Sequence, residues 1–321
     1  MRLWKSYWII ATLATASPAN VFAQAYPSKP IRLVVATAPG GGSDFVGRLV
    51  GAKLTEVLGQ QIVVENRPGA GSTLGYEFVL RSPPDGYTLA VITPSYSINP
   101  SLYPLKFDAT SDYTPIGPIA RGPYVLVVHP SLPVKDVREL IALAKARPDQ
   151  LVYGSSGNGA IVHLTTAHFL HMAGIRMIHV PYKGGGPALT DVIAGQIQVV
   201  FATSQTGLPQ AKAGRLRVLG VTTPYRIAAE PDLPTIAEAG VPGYEVTNWH
   251  ALIGPKGLPR AVVEKLNGEL SRFLKAKEME ERFQNDGMSP APGTPEQLAE
   301  QIRKEIELWR QVVQRAGVKL N

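Results

Sequence analysis

The sequence predicts an α/β fold arranged in two lobes. Apolar runs of strand length alternate with amphipathic runs of helical periodicity along most of the chain, a pattern typical of a sheet covered by helices. The chain has 321 residues, 45% of them hydrophobic, which is enough to bury a large core and favours two lobes over one. No cysteine occurs, so we expect packing rather than disulfides to hold the fold together.

The first 25 residues form a predicted signal peptide. Arg2 and Lys5 precede an apolar stretch at 8–16, and the small residues Ala23 and Ala25 fit a cleavage site. A membrane anchor is the alternative, but the apolar stretch is too short to span a bilayer. We therefore expect export to the periplasm and a soluble mature chain that begins near Tyr26.

The first lobe is predicted from the elements that follow this leader. Strand 31–36 is an apolar run, and helix 45–58 has apolar residues at helical spacing. Strand 61–65, a helix near 73–81 and strand 87–93 come next. Pro84, Asp85 and Gly86 form a turn before the last of these strands.

The second lobe is predicted to begin after a crossing strand at 124–129. Its elements are helix 134–146, strand 151–154, helix 160–173, strand 176–180, helix 187–194 and strand 198–201. Gly174 and Gly195 follow two of the helices, where a left-handed cap is expected. The C-terminal quarter is predicted to be largely helical, with Thr294, Pro295 and Gln297 forming the capped start of a helix.

Three glycine-rich loops, at 40–43, 154–159 and 183–187, each lie between a predicted strand and a predicted helix. In open α/β sheets this is where ligands bind, and the free N–H groups at a helix start favour an anion. Any one such loop could exist only to make a tight turn. Three in the same topological position favour a binding site.

Several functional classes lack their signatures in this chain. No phosphate-binding or dinucleotide-binding glycine motif occurs, and no nucleophile elbow. Ser155 or Ser156 could equally cap a helix, and Asp44 is favoured in a first helical turn whether or not it is catalytic. We therefore expect binding without catalysis and without a cofactor.

The sequence carries no signature of a metal site or of nucleic-acid binding. His163, His168 and His171 lie close in sequence, but no acidic partner accompanies them, and packed or solvated histidines are the alternative. The formal net charge is +7, without lysine runs interleaved with aromatics. We expect no metal site and no nucleic-acid partner, and interpret the charge as mild steering toward anionic ligands or a membrane surface.

Six motifs occur in order along the mature chain: YPSKPI at 26–31, PGGGSD at 39–44, VENRPGAG at 64–71, PDGYTL at 84–89, VPYKGG at 180–185 and IAEAGVPGY at 236–244. Together they resemble those of the periplasmic solute receptors of tripartite tricarboxylate transporters, the TctC or Bug type. The resemblance implies a two-lobed, type II-like Venus-flytrap fold with a helical C-terminal segment. Lobe 1 would comprise 26–125 and 246–321, and lobe 2 would comprise 126–245, with crossings near 124–129 and 244–248.

The resemblance also implies where a small carboxylate would bind. The expected ligand-binding residues are Gly41, Gly42, Ser43, Asp44, Thr93 and Ser95 in lobe 1, and Ser155, Ser156, Gly157, Asn158, Gly159, Gly184, Gly185, Ala202 and Thr203 in lobe 2. Arg67 is expected to order its loop rather than bind the ligand.

Two departures from the family pattern bear on the ligand. Ala202 replaces a strand-end acid that is frequent in the family, and Tyr96 stands where a histidine is common. An ammonium in a closed cleft needs an acceptor, so we expect a carboxylate ligand without an amino group.

The partners implied by the resemblance are the membrane subunits of a tripartite transporter, served by a monomeric receptor. A sensor that docks on a membrane kinase is the alternative, and an exported hydrolase on a similar scaffold is a third possibility.

Overall fold

The computed structural model describes residues 26–316 of the 321. The predicted signal peptide at 1–25 lies outside the described residues, as do the last residues at 317–321. Within the described range, no helix combines the length and the apolar character needed to cross a membrane.

Lobe 1 is built on a sheet whose strands β1, β2 and β3 run parallel. Its elements in chain order are β1 (Ile31–Val35), α1 (Gly42–Leu58), β2 (Ile62–Asn66), α2 (Thr73–Leu80), β3 (Thr88–Ile92) and the short α3 (Ser95–Ile98). Strands β1 and β3 are buried on both faces: Leu33 and Leu89 pack toward α1, and Val34 and Ala90 pack toward α2. This double burial explains their continuous apolar sequences.

The long strand β4 (Tyr113–Val128) runs through both lobes. Its residues 113–123 pair with β9 (Thr247–Pro255) in the lobe 1 sheet, and its residues 124–128 pair with β7 (Val199–Thr203) and β8 (Arg217–Val221) in the lobe 2 sheet. The partners change between Pro123 and Tyr124, close to the boundary expected from the sequence. The domain limits themselves stay a prediction.

Lobe 2 alternates strands and helices around the sheet order β4-β7-β5-β6, with β8 on the other side of β4. Its remaining elements are α4 (Val137–Ala146), β5 (Val152–Ser155), α5 (Ile161–Ala173), β6 (Ile178–Pro181), α6 (Gly185–Ile193) and α7 (Ser204–Lys212). Strand β5 is parallel to β6 and β7, so the carboxyl ends of all three point toward lobe 1.

The C-terminal region returns to lobe 1 as α8 (Arg260–Leu274), α9 (Lys277–Asn285), β10 (Ser289–Pro290) and α10 (Pro295–Ala316). Helix α10 contacts both lobes, because Leu298 and Ile302 lie in a lobe 1 core cluster and Val313 lies in a lobe 2 core cluster. The capping box is confirmed: the Gln297 N–H donates to Thr294 Oγ1 at 3.2 Å and the Thr294 N–H donates to Gln297 Oε1 at 2.9 Å.

The order of elements agrees with the sequence, but some limits were predicted wrongly. Helix α1 begins at Gly42 rather than at residue 45, because the glycine and serine of the loop already adopt helical conformation. Helix α4 begins at Val137 rather than at 134, because Asp136 caps it by accepting the Glu139 N–H at 2.8 Å. Most of β4 was not predicted, because its prolines interrupt the strand pattern in the sequence. In the structure, shifts in register beside Pro115 and Pro118 accommodate these prolines.

Candidate ligand-binding cleft

The two lobes meet along the glycine loops. The Ala38 N–H in lobe 1 donates to the Lys183 carbonyl in lobe 2 at 3.0 Å. A Cβ atom at Gly186 would lie 2.4 Å from the Pro39 carbonyl oxygen, so a side chain there would prevent this contact. The cleft between the lobes is therefore closed, and glycine permits the closure.

A small inner cavity of about 40 Å³ lies at the bottom of the cleft. It is lined by Thr37, Gly41, Gly42, Ser43, Ser72, Thr93, Ser95, Tyr124, Ser156, Ile161, Val162, Gly185, Thr203 and Asn248. Both lobes and both crossing strands contribute to it, and the Tyr124 hydroxyl donates to Asn248 Oδ1 at 2.9 Å where these strands meet. Nearly all the polar groups in this lining are hydroxyls, backbone amides or a side-chain amide, and no charged side chain is among them.

Helix N-termini surround the inner cavity. Helices α1, α5, α6 and α7 all begin in this region, and their N-cap residues Gly41, Ala160, Gly184 and Thr203 make no side-chain capping bond. Helices α8 and α9 also lack such caps, but they begin at exposed residues where water can satisfy the N–H groups. At the cleft, the free N–H groups at the starts of α1, α6 and α7 and the positive ends of the helix dipoles favour an anion.

Asp44 supports the first glycine loop instead of lining the inner cavity. Its Oδ2 accepts from the Gly40 N–H and from Arg48 Nε, both at 3.0 Å, and its Oδ1 accepts from Asn66 Nδ2 at 3.0 Å. Burial alone would raise the pKa of Asp44, but these hydrogen bonds and the charge of Arg48 outweigh it and lower the pKa. The carboxylate is therefore charged and fully engaged.

The loop at 155–159 is held from behind by two histidines. The Ser155 hydroxyl bonds with the backbone of Gly157 and lies 2.6 Å from His179 Nε2. The Gly159 N–H donates to His163 Nδ1 at 3.0 Å. Gly157 and Gly159 have φ values of +132° and +67°, which a residue with a side chain would adopt only with strain.

A larger outer chamber of about 320 Å³ opens beside the inner cavity. It is lined by Ala36, Gly69, Ala70, Gly71, Ser72, Tyr103, Ser156, Gly157, Asn158, Pro181, Tyr182 and Lys183. Ser72 and Ser156 line both spaces, and Lys183 is the charged residue of the outer one. The Tyr103 hydroxyl of lobe 1 donates to the Asn158 carbonyl of lobe 2, which closes one side of the chamber.

The expected site residues lie at different places around the cleft. The inner cavity brings together Gly41, Gly42, Ser43, Thr93, Ser95, Ser156, Gly185 and Thr203, and Gly157 and Asn158 line the outer chamber. Asp44, Ser155 and Gly159 support these walls from behind. Gly184 lies at the contact between the lobes, where a Cβ atom would come within 2.9 Å of the Ala38 backbone nitrogen. Ala202 lies apart, with its side chain in a core cluster of lobe 2.

Other lining residues were not anticipated from the sequence. Tyr124 and Asn248 lie on the crossing strands, and the position of the predicted crossings could have indicated them. Ser72 ends the loop that contains the VENRPGAG motif, and Ile161 begins helix α5. Thr37 lines the cavity with a buried hydroxyl that has no hydrogen-bond partner, and nothing in its sequence context marks it.

A two-lobed α/β protein with paired crossing strands and a closed, polar cleft has the architecture of a periplasmic binding protein. Comparison with known proteins agrees with this class. The family model described as "Tripartite tricarboxylate transporter family receptor" matches residues 46–318. The chain therefore belongs to this receptor family, as its motifs indicated.

Individual relatives cover nearly the whole chain. Protein BugT of Bordetella pertussis is 34% identical over 314 residues, which are 97% of this chain and 96% of BugT. The structure titled "R. palustris Rpa4515 with adipate" is 37% identical, with a TM-score of 0.89 over 92% of this chain and 99% of that one. MatC from Rhodopseudomonas palustris, with bound malate, is 30% identical, with a TM-score of 0.85 over 90% of this chain and 100% of MatC.

Proposed function

We propose that this protein is a periplasmic receptor that captures a small organic carboxylate for a tripartite-type transporter. The observation that carries the proposal is the inner cavity, where uncapped helix N-termini and hydroxyls converge without a charged side chain in the lining. Related receptors of known structure contain adipate or malate, which are both dicarboxylates.

Neutral donors are well suited to a carboxylate that must be released again. Backbone N–H groups at the starts of α1 and α6 lie on the cavity wall through Gly42 and Gly185, and the dipoles of these helices add positive potential. Hydroxyls such as Thr93 and Thr203 can donate to the remaining lone pairs. The inner cavity would take one carboxylate, and the outer chamber would take the rest of a longer ligand.

We further propose that the ligand has no amino group. Neither space is lined by an aspartate or glutamate among residues 26–316, and Asp44 already accepts three hydrogen bonds. A desolvated ammonium would therefore lack a partner, which is costly. The absence of an acid at position 202 does not support this expectation, because the Ala202 side chain lies in the core.

We propose that the receptor is exported and monomeric, and that it binds its ligand without converting it into a product. The family and its structural relatives are receptors, and the described residues of the cavity do not combine a nucleophile with a base and an orienting group. The membrane subunits of a tripartite transporter are the proposed partners. A sensor kinase is the other partner expected from the sequence. In that case, deletion of the gene for this protein would abolish the response of the kinase to the carboxylate rather than uptake of the carboxylate.

A thermal-shift screen of organic acids tests this function. A ligand at 100 times its dissociation constant should add about 2.7 kcal/mol to the free energy of unfolding, which is seen as a raised melting temperature. Each acid that stabilises the protein is then incubated with it and recovered. A product that forms at a rate proportional to protein concentration would contradict the binding-only proposal.

A further inference from the structure

His163 on α5 and His179 on β6 form a stacked pair directly behind the loop at 155–159. Their ring centroids are 4.1 Å apart and the rings are nearly parallel, at 8°. The sequence groups His163 with His168 and His171, but the fold pairs it with His179, and His168 instead stacks on Tyr244. Neither imidazole of the pair lines the inner cavity.

Each imidazole holds one end of the loop. His163 Nδ1 accepts the Gly159 N–H at 3.0 Å, and His179 Nε2 lies 2.6 Å from the Ser155 hydroxyl. That hydroxyl also accepts the Gly157 N–H at 3.2 Å. The pair therefore fixes the backbone on both sides of Ser156, which lines the inner cavity.

The contact at His163 requires a neutral ring, whereas His179 Nε2 can either accept from the Ser155 hydroxyl or donate to it. A backbone N–H can only donate, so His163 Nδ1 must keep its lone pair, and a protonated His163 would direct an N–H group at the Gly159 N–H. A charge on both stacked rings would add direct repulsion. Burial lowers the pKa of His163, and burial together with the charge of His163 lowers the pKa of His179 to about 4.

The surroundings offer no counter-charge for a cation. Tyr153 of β5 stacks on His179 with a centroid distance of 4.8 Å, and Tyr103, Tyr182 and Lys183 are the other ionisable groups that line the outer chamber with the loop. Burial raises the pKa of all three tyrosines, and that of Tyr182 to about 12, so they stay neutral in acid. Among residues 26–316, no carboxylate or basic side chain forms a hydrogen bond or ion pair with either imidazole.

We propose that His163 and His179 are positioning residues that hold the loop at 155–159 in its ligand-binding conformation only while His163 is neutral. This inference rests on the proposed carboxylate-binding function. Because the pKa of His163 is lowered in the ordered loop, the clamp is complete above pH 6.5, the ordinary value, and is lost as the pH falls through the lowered pKa. Ligand capture should therefore weaken in acid beyond the effect of protonating the ligand.

Titration calorimetry with adipate tests the proposal across a pH series from about 7.5 to about 4. His163→Asn keeps an acceptor near the Nδ1 position but cannot titrate, His163→Ala removes the acceptor, and His171→Asn changes an exposed histidine on the same helix as a control. Dividing each variant's affinity by that of the wild type at the same pH cancels the protonation of adipate itself.

The expected result has three parts. His163→Ala binds adipate about twofold to tenfold more weakly at every pH above 6.5, as for one lost neutral hydrogen bond. His163→Asn binds close to the wild type at about pH 7.5 and relatively tighter as the pH falls, and His171→Asn follows the wild type throughout. The proposal is overturned if His163→Asn and the wild type keep a constant affinity ratio, or if His163→Ala binds as tightly as the wild type.

A second readout does not depend on any ligand. In NMR titrations of the unliganded protein, the imidazole protons of His163 and His179 should titrate below the ordinary histidine value of about 6.5, and the Gly159 amide signal should shift with them. If both rings titrate at the ordinary value while the Gly159 amide stays unchanged, the proposal is wrong. If these shifts appear but adipate and the other organic acids fail to bind, the proposed function is wrong and the clamp stands.

Discussion

The Ser95 hydroxyl of lobe 1 accepts a hydrogen bond of 3.0 Å from the Ile161 backbone N–H of lobe 2. Helix α5 therefore receives its cap from the opposite lobe, since the preceding residue, Ala160, has no polar side chain. Opening the cleft must break this bond and expose the helix start to water. The contact couples closure of the lobes to the geometry of the inner cavity.

Replacing Ser95 by Ala should weaken ligand binding with little effect on the stability of the open protein. The loss of one neutral hydrogen bond corresponds to about 0.5–1.5 kcal/mol. Ser97→Ala is a matched control in the same short helix, because the Ser97 hydroxyl is buried without a partner. Calorimetry with adipate measures both, and equal affinities for the two variants would contradict the cross-lobe cap.

Replacing Gly186 by Ala should hold the lobes apart. The new Cβ would lie 2.4 Å from the Pro39 carbonyl oxygen, in rigid backbone of the opposite lobe, and relieving such overpacking costs about 1–3 kcal/mol. Gly268→Ala in α8 is the control, since its Cβ would meet open space. X-ray scattering in solution should show ligand-induced compaction in the wild type and the control only. Full compaction of Gly186→Ala would disprove the contact.

Replacing Asp44 by Asn should lower the free energy of unfolding by about 1–3 kcal/mol, because acceptors for Gly40 and Arg48 are lost. The pKa of Asp44 is held below its ordinary 3.8, so its contribution is present above that pH and is lost as the pH falls through the lowered value. Glu56→Gln on the exposed face of the same helix is the control. Denaturant unfolding at neutral pH measures both, and an unchanged Asp44→Asn midpoint would contradict the support role.

Replacing Glu305 by Gln should stabilise the protein in mild alkali. One oxygen of Glu305 accepts from Gln301 Nε2 at 3.2 Å, the other is buried without a partner, and burial raises its pKa to about 7. The charged form is disfavoured in the folded state, so the wild type loses stability as the pH rises from 4.5 through about 7. The variant should melt higher than the wild type at about pH 8 and equally in acid. Glu307→Gln, an exposed neighbour, should match the wild type, and a pH-independent difference for Glu305→Gln would refute the assignment.

Local patterns were enough to predict the alternation of strands and helices and the capped start of α10. They failed at β4, where Pro115 and Pro118 interrupt the strand pattern and pairing with β9 compensates. Helix α7 was missed as well, because Pro209 lies inside it and its apolar face is short. Tertiary pairing overrides local preference in both places.

The candidate site was foreseen in part for a similar reason. A glycine-rich loop between a strand and a helix can be recognised in the sequence, so Gly42 and Gly185 could be expected at the cleft. Tyr124 and Asn248 meet only because strands more than 100 residues apart in sequence cross between the lobes, and neither residue has a local signature. The pairing of His163 with His179 likewise depends on tertiary structure, which brings a side chain of α5 against one of β6.

The most direct test of the central claim is calorimetric titration of the mature protein with succinate, adipate, citrate and aspartate under one set of conditions. A cleft lined by neutral donors and Lys183, with no acid in its described lining, should bind at least one of the three acids without an amino group at one site per chain. That acid should bind more tightly than aspartate, whose ammonium would be buried unpaired. If aspartate binds most tightly of the four, or if none of them binds, the account is contradicted.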